Sequence, residues 1–247
     1  VLARAGQAYV DYATYISQVI EDRRRNPGDD LVSILTGAKD SGVLVEFSQT
    51  AAELPDVAQS GEGADAMAAL HNDELIKMMV LLLVAGNETT RNGISGGMQL
   101  LIENPDQRQR LIDDPSLLRA AIEEMLRLVT PIHSFTRTVT QDTELRGKRL
   151  KRGQKILLAY PSANRDADEF EDPDTFRIDR NPAHLAFGIG SHFCLGANLA
   201  RMEMSVALGQ VLRRMPDMEY AAGGPRLVPS LLVRTCAEMR VRFTPEG

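Results

Sequence analysis

The ten residues Phe187-Gly188-Ile189-Gly190-Ser191-His192-Phe193-Cys194-Leu195-Gly196 set one of only two cysteines of the chain in a glycine-rich loop. Leu195, Leu199, Met202 and Val206 recur at helical spacing, which predicts an amphipathic helix over 195–214 with these residues as its apolar stripe. A sulfur at the start of that helix meets free backbone N–H groups and the positive end of the helix dipole. Both lower a thiol's pKa and stabilise a metal-bound thiolate. Gly188, Gly190 and Gly196 let backbone come close to a large flat ligand where a side chain would collide.

A lone thiolate presented in this way suits axial ligation of haem iron, where it favours O–O cleavage. The spacing Phe-x-x-Gly-x-x-x-Cys-x-Gly resembles the cysteine loop of the cytochrome P-450 family. Two further motifs extend the resemblance. Ala85-Gly86-Asn87-Glu88-Thr89-Thr90 puts an acid and two hydroxyls inside an otherwise apolar helix. Ala85 and Thr89 share a face, and a threonine hydroxyl can bond the carbonyl four residues back and bend the helix. This pattern is similar to the family's oxygen-binding groove, and the resemblance implies that Glu88 and Thr89 deliver protons to dioxygen. Glu124-Met125-Leu126-Arg127 is an i,i+3 ion pair, by itself worth only ~0.2–0.5 kcal/mol on a helix surface. In the family such a Glu-x-x-Arg pair is buried and joined by a later arginine, for which Arg180 is the nearest match, with Arg165 and Arg177 close by.

The resemblance implies further roles. Arg137 and His192 match propionate-binding positions; Ile132, His133, Ser230 and Leu231 fall in substrate-lining segments; Arg201 would face a redox partner. The implied cofactor is haem b (iron protoporphyrin IX), held by Cys194 with Ala85, Gly86, Phe187, Gly188 and Gly196 around it. The implied reaction inserts one oxygen atom of dioxygen into a small apolar substrate, with electrons from a ferredoxin and its reductase. Two other readings remain: a peroxide-driven peroxygenase, against which the Glu88–Thr89 pair argues, and a non-catalytic haem-binding fragment.

The elements that must position these residues are mostly helical. Helices are expected over 3–24, 31–38, 73–103, 105–113, 115–129 and 195–214, and strand-like stretches over 136–140, 143–150, 154–159, 217–222 and 229–243. Residues 40–69 read as an exposed loop and 161–182 as an irregular meander. The apolar run Met78 to Gly86 reads as a buried helix and is too short to span a bilayer. The fold class is therefore mainly α with a small β region, and haem is expected between the long helix and the helix after Cys194. By resemblance, residues 1–247 form the C-terminal, haem-bearing part of one cytochrome P-450 domain that lacks the N-terminal helices.

Composition narrows the alternatives. A 43% hydrophobic and 25% charged chain is ordinary for a globular protein, and a net charge of −6 argues against a nucleic-acid partner. Neither a secretory signal nor a membrane anchor is legible, and two cysteines make neither a disulfide scaffold nor a zinc cluster, so a cytoplasmic setting is expected. Cys236 reads as structural, and His71, His133 and His184 have no metal-ligand spacing.

Overall fold

A computed structural model of the chain describes residues 2–40 and 72–245. By its internal contacts the chain divides into two units, Val1–Ala85 and Gly86–Gly247. In the first unit, α1 (Leu2–Arg25) ends in Arg23, Arg24 and Arg25, cations suited to a helix C-terminus. The break at Pro27-Gly28 is closed by Asp30, whose carboxylate accepts from the Ser33 N–H (2.8 Å) and from Arg23 (2.5 Å), and α2 (Leu31–Asp40) follows. Ile16 and Ile20 of α1 bury themselves with Leu75 and Met79, and the Tyr12 hydroxyl donates to the Met79 carbonyl at 3.2 Å. The loop expected at 40–69 lies outside the described residues, except for Asp40 at the end of α2.

Leu75 and Met79 belong to α3 (Asn72–Glu103), the long helix. Its apolar run is helical as expected but only partly buried: Met79 is in the core, whereas Leu81, Leu83 and Val84 are exposed. A helix apolar on every side needs apolar neighbours on every side, and α1 and α2 supply them to one stripe only.

In the second unit, α3 continues to Glu103, and Pro105 opens α4 (Pro105–Asp113). A 3-10 turn (Pro115–Leu117) leads into α5 (Leu118–Val129), which ends at Thr130 in the left-handed region. The core is built by Leu101, Leu111, Ile122, Met125, Met204, Leu208 and Met218 with Phe176 and Ile178. Close approach of α3 to its neighbours depends on glycine: a Cβ on Gly93 would lie 3.2 Å from the Met204 sulfur, and one on Gly97 3.3 Å from Leu208.

Gly96 is the tightest of these contacts, with a built Cβ only 2.6 Å from both γ-carbons of buried Val129. Alanine there would gain up to ~1 kcal/mol of helix propensity and lose about 1–3 kcal/mol to overpacking. Val129 is β-branched and enclosed, so the clash wins. Gly96→Ala is expected to lower the melting temperature, and an unchanged or raised value would show that Val129 can yield.

Among the described residues the strands form four antiparallel pairs: β1 (Ser134–Thr138) with β4 (Lys155–Ala159), β2 (Thr143–Leu145) with β3 (Lys148–Leu150), β5 (Glu219–Tyr220) with β8 (Val241–Arg242), and β6 (Arg226–Val228) with β7 (Thr235–Glu238). The segment expected as one strand over 143–150 is a hairpin, turned at Arg146 and Gly147, both at positive φ. A short α6 (Tyr160–Ala163) opens the meander, and α7 (Ala197–Arg214) follows the cysteine loop. No helix of the described residues is long and apolar enough to cross a membrane.

Candidate functional site

Cys194 is half-buried with a free thiol. Its backbone N–H donates to the Phe187 carbonyl at 2.9 Å, closing a loop whose inner turns are fixed by Gly188 N–H to Leu185 O (2.9 Å) and Phe193 N–H to Gly190 O (3.0 Å). Gly188 and Gly190 both sit at φ 70°, a conformation that side chains disfavour. The helix begins later than expected. Gly196 is the N-cap of α7, and the Cys194 carbonyl accepts from Ala197 N–H at 3.2 Å.

The buried face of α7 also differs from the expected one. Ala197, Met204, Leu208 and Leu212 are buried, whereas Leu195, Leu199, Met202 and Val206 are exposed, Leu195 to 87%. The helix is apolar on two sides; the side facing Gly93 and Gly97 of α3 and Met125 of α5 has core around it.

Arg201, expected to face a partner, is partly exposed and is also paired within the unit. Its Nε and a terminal nitrogen lie 2.7 and 2.9 Å from the two carboxylate oxygens of Glu123, and its guanidinium stacks 4.6 Å over the Phe187 ring. The same carboxylate accepts from His184 Nε2 at 3.1 Å, while His184 Nδ1 faces the Ala186 N–H at 3.1 Å. Burial works against the Glu123 anion, but hydrogen bonds from His184 and Arg201 and the Arg201 charge overcome it and bring its pKa down to about 2 from an ordinary 4.5. A depressed carboxylate contributes stability that is fully present above pH 4.5 and lost as pH falls toward 2. Thermal melts between pH 5 and pH 2 are therefore expected to fall less steeply in Glu123→Gln than in the parent. Parallel slopes would mean that Glu123 does not titrate as the geometry requires.

The next residue, Glu124, has its side chain fully buried with that of Arg127. The pair is bidentate, Nε–Oε2 at 2.7 Å and Nη2–Oε1 at 2.8 Å. Arg127 also donates to the carbonyls of Asn164 (2.7 Å) and Pro173 (2.6 Å) and lies 4.9 Å over the Phe170 ring. Arg180 Nε reaches Glu124 Oε1 at 3.1 Å, so the structure brings Glu124, Arg127 and Arg180 together. Of the nearby arginines, Arg177 gives Glu124 only its backbone N–H (3.2 Å), and Arg165 bonds the Leu128 carbonyl instead.

On α3, Ala85 is the last residue of the first unit and Gly86 the first of the second, both exposed. Glu88 is partly exposed, and Thr89 lies one residue on, half-buried. Glu88 Oε2 accepts from Arg91 at 2.6 Å and from Asn92 Nδ2 at 3.3 Å. Asn92 is buried; its amide bonds the Glu88 carbonyl at 2.6 Å and accepts the Cys236 N–H at 2.9 Å, linking the acid-bearing turn to β7.

The two candidate lining segments meet. Ile132 bridges Val233, His133 N–H donates to Leu232 O (2.8 Å), His133 Nδ1 lies 3.3 Å from Ser230 O, and Ser134 Oγ donates to Leu231 O (2.8 Å). Leu231 projects its side chain into solvent at 90% exposure. Arg137 on β1 is exposed and donates to its neighbour's carbonyl, Thr136 O, at 3.1 Å; His192 is exposed in a 3-10 turn (Gly190–His192).

Sequence reasoning missed Glu123, His184 and Asn92. Two adjacent carboxylates, Glu123 and Glu124, on a helix with one strongly buried face were the available signal for the first. Nothing local marked His184, whose carboxylate partner lies 61 residues away, and Asn92, though one turn from Glu88, has its strand partner 144 residues away.

These residues fit a flat, apolar, anionic cofactor. The thiol is free, and a Cβ on Gly86, Gly190 or Gly196 would meet nothing within 4 Å. Ile189, Phe193 and Leu195 stand exposed around the sulfur, apolar surface that such a ligand would cover. Arg137 has guanidinium donors to offer a carboxylate.

A family model described as Cytochrome P450 matches residues 3–216. The steroid C26-monooxygenase of Mycolicibacterium smegmatis is 40% identical over 241 residues, 97% of this chain and 54% of that protein. The methyl-branched lipid omega-hydroxylase of Mycobacterium bovis is 40% identical over 229 residues, 92% of this chain and 48% of that protein. The crystal structure of CYP109E1 from Bacillus megaterium in complex with testosterone superposes with a TM-score of 0.81 at 36% identity, covering 98% of this chain and 61% of that one. The chain spans about half the length of the curated relatives it matches. The fold expected from the motifs is thereby borne out, and haem b bound through a cysteine thiolate is the cofactor of proteins built this way. The motifs, the fold and the relatives agree: the chain belongs to the cytochrome P450 family.

Proposed function

We propose that the protein is a haem-thiolate monooxygenase that inserts one atom of dioxygen into an apolar substrate, with Cys194 as the iron ligand. The observation that carries this reading is the free Cys194 thiol in its glycine-turned loop, ringed by exposed Ile189, Phe193 and Leu195. Haem b bound there supplies a reducible iron at which dioxygen is activated with two electrons.

The chain's own residues have separable tasks. Cys194 would hold the iron as a thiolate and lend it electron density. Arg137 and His192 hold carboxylate groups of the cofactor edge. Glu88 is gripped at Oε2 by Arg91 and Asn92, which leaves Oε1 to take up a proton and pass it to the Thr89 hydroxyl. Ile132, His133, Ser230 and Leu231 line the substrate and orient it.

The relatives act, by their names, on a steroid and on methyl-branched lipids, which favours an apolar steroid or lipid as the substrate here. A ferredoxin with its reductase is the electron donor carried over from the resemblance. The test is turnover of a steroid and branched-lipid panel with ferredoxin, reductase and NAD(P)H, set against turnover with peroxide. Product only with peroxide overturns the reading. Within the same assay, Thr89→Ala is expected to consume reductant with at least a severalfold loss of product per electron pair. Unaltered coupling removes Thr89 from proton delivery.

A further inference from the structure

The Glu123 carboxylate is an unusual feature beside the cysteine loop. It is one group shared by two elements that flank that loop: His184, three residues before Phe187, and Arg201, seven residues after Cys194. The His184 ring has its side chain 3% exposed, and its Nδ1 accepts a backbone N–H, so the ring proton sits on Nε2 and is donated to Glu123. The loop's entry is thereby pinned to α5. Arg201 is fixed in both angle and depth, because a bidentate pair and a ring stack together leave a planar fork no freedom. The Phe187 ring under it contacts His184 (centroids 5.8 Å apart) and Phe193 (6.3 Å), and the Phe187 carbonyl holds the Cys194 N–H.

We propose that Glu123 is a positioning residue for the metal ligand: it clamps His184 and Arg201 about Phe187, and the resulting cation–anion pair sets the electrostatic field at the Cys194 sulfur. The inference rests on the reading of Cys194 as the iron ligand. Residues that touch ligating groups without binding the metal tune its electronics through orientation and charge. An unpaired positive charge beside the thiolate withdraws electron density and eases one-electron reduction of the iron; an unpaired negative charge does the opposite. With Glu123 and Arg201 joined, the sulfur sees a near-neutral dipole.

The experiment is a double-variant cycle in the haem-loaded protein, read by spectroelectrochemical titration and by the ferrous–carbon monoxide spectrum. Glu123→Gln leaves the guanidinium uncompensated and is expected to raise the ferrous-to-ferric ratio at fixed potential by roughly tenfold at low ionic strength. Arg201→Gln leaves the carboxylate uncompensated and is expected to lower that ratio by a similar factor. The combined variant should return near the parent. A simple brace would move both single variants the same way by loosening the loop, and shifts of equal sign, or none, overturn the proposal. Should a single variant fail to retain haem, the combined variant decides: parent-like haem content and potential support the charge pair, and loss in that variant as well overturns it. Failure of the underlying reading would look different, because the parent itself would then lack a thiolate-type spectrum.

Discussion

Glu124→Ala is expected to cost about 3–5 kcal/mol of stability, because it leaves the fully buried Arg127 guanidinium without its counter-charge. Against a typical total of roughly 5–15 kcal/mol, that is enough to unfold much of the population. The carbonyls of Asn164 and Pro173 would still accept from Arg127, but they bring no negative charge to a fully buried site. Arg180 would lose its partner too, though at the edge of the cluster, where solvent reaches it. The ranking is therefore part of the expectation: Arg180→Gln should be much the milder change. Urea unfolding of the three proteins checks it. A Glu124→Ala midpoint within error of the parent would mean that another carboxylate has moved in, and an equal loss in Arg180→Gln would mean that the pair and the third arginine act as one unit.

Cys194→Ala has the second large effect, on ligation rather than folding. The residue is half-buried and held by its backbone, through the Phe187 carbonyl and the Ala197 N–H, so truncating the side chain removes few contacts. The melting temperature is expected to shift by only a few degrees, consistent with a loss on the order of 1 kcal/mol. The thiolate signature of the ferrous–carbon monoxide spectrum should vanish completely. Its persistence would transfer the ligand role to Cys236, the other free thiol, which sits on β7 with its N–H anchored by Asn92 of α3.

The motifs were legible because each is compact. A cysteine among glycines, a carboxylate and arginine one turn apart, and an acid beside a threonine inside an apolar helix are all read within ten residues. The hairpin over 143–150 was half legible: Gly147 marked a break, but only the geometry shows that Arg146 joins it at positive φ to reverse the chain. What the sequence concealed is what depends on distance. His184 looked like a solitary loop histidine because its carboxylate partner lies on α5, and that carboxylate also gives the partly exposed Arg201 a partner the sequence did not show. Periodicity also misdirected the reading of α7. Two apolar stripes share that helix, and spacing gives both the same standing; contact with glycine-lined α3 decides which one is interior.

The second stripe has a practical bearing. Leu199, Met202 and Val206 run along nearly two turns of α7, with Leu195 just ahead of them, and none is shielded within the described residues. Oily ridges of that extent adhere to whatever oily surface is nearest, and at high concentration the nearest is another molecule of the same kind. Preparations of this chain should thus be governed by colloidal behaviour before conformational stability becomes limiting. Light scattering should rise with protein concentration and with added sulfate, and fall when Leu199 and Met202 are exchanged for lysine, while the melting temperature stays put.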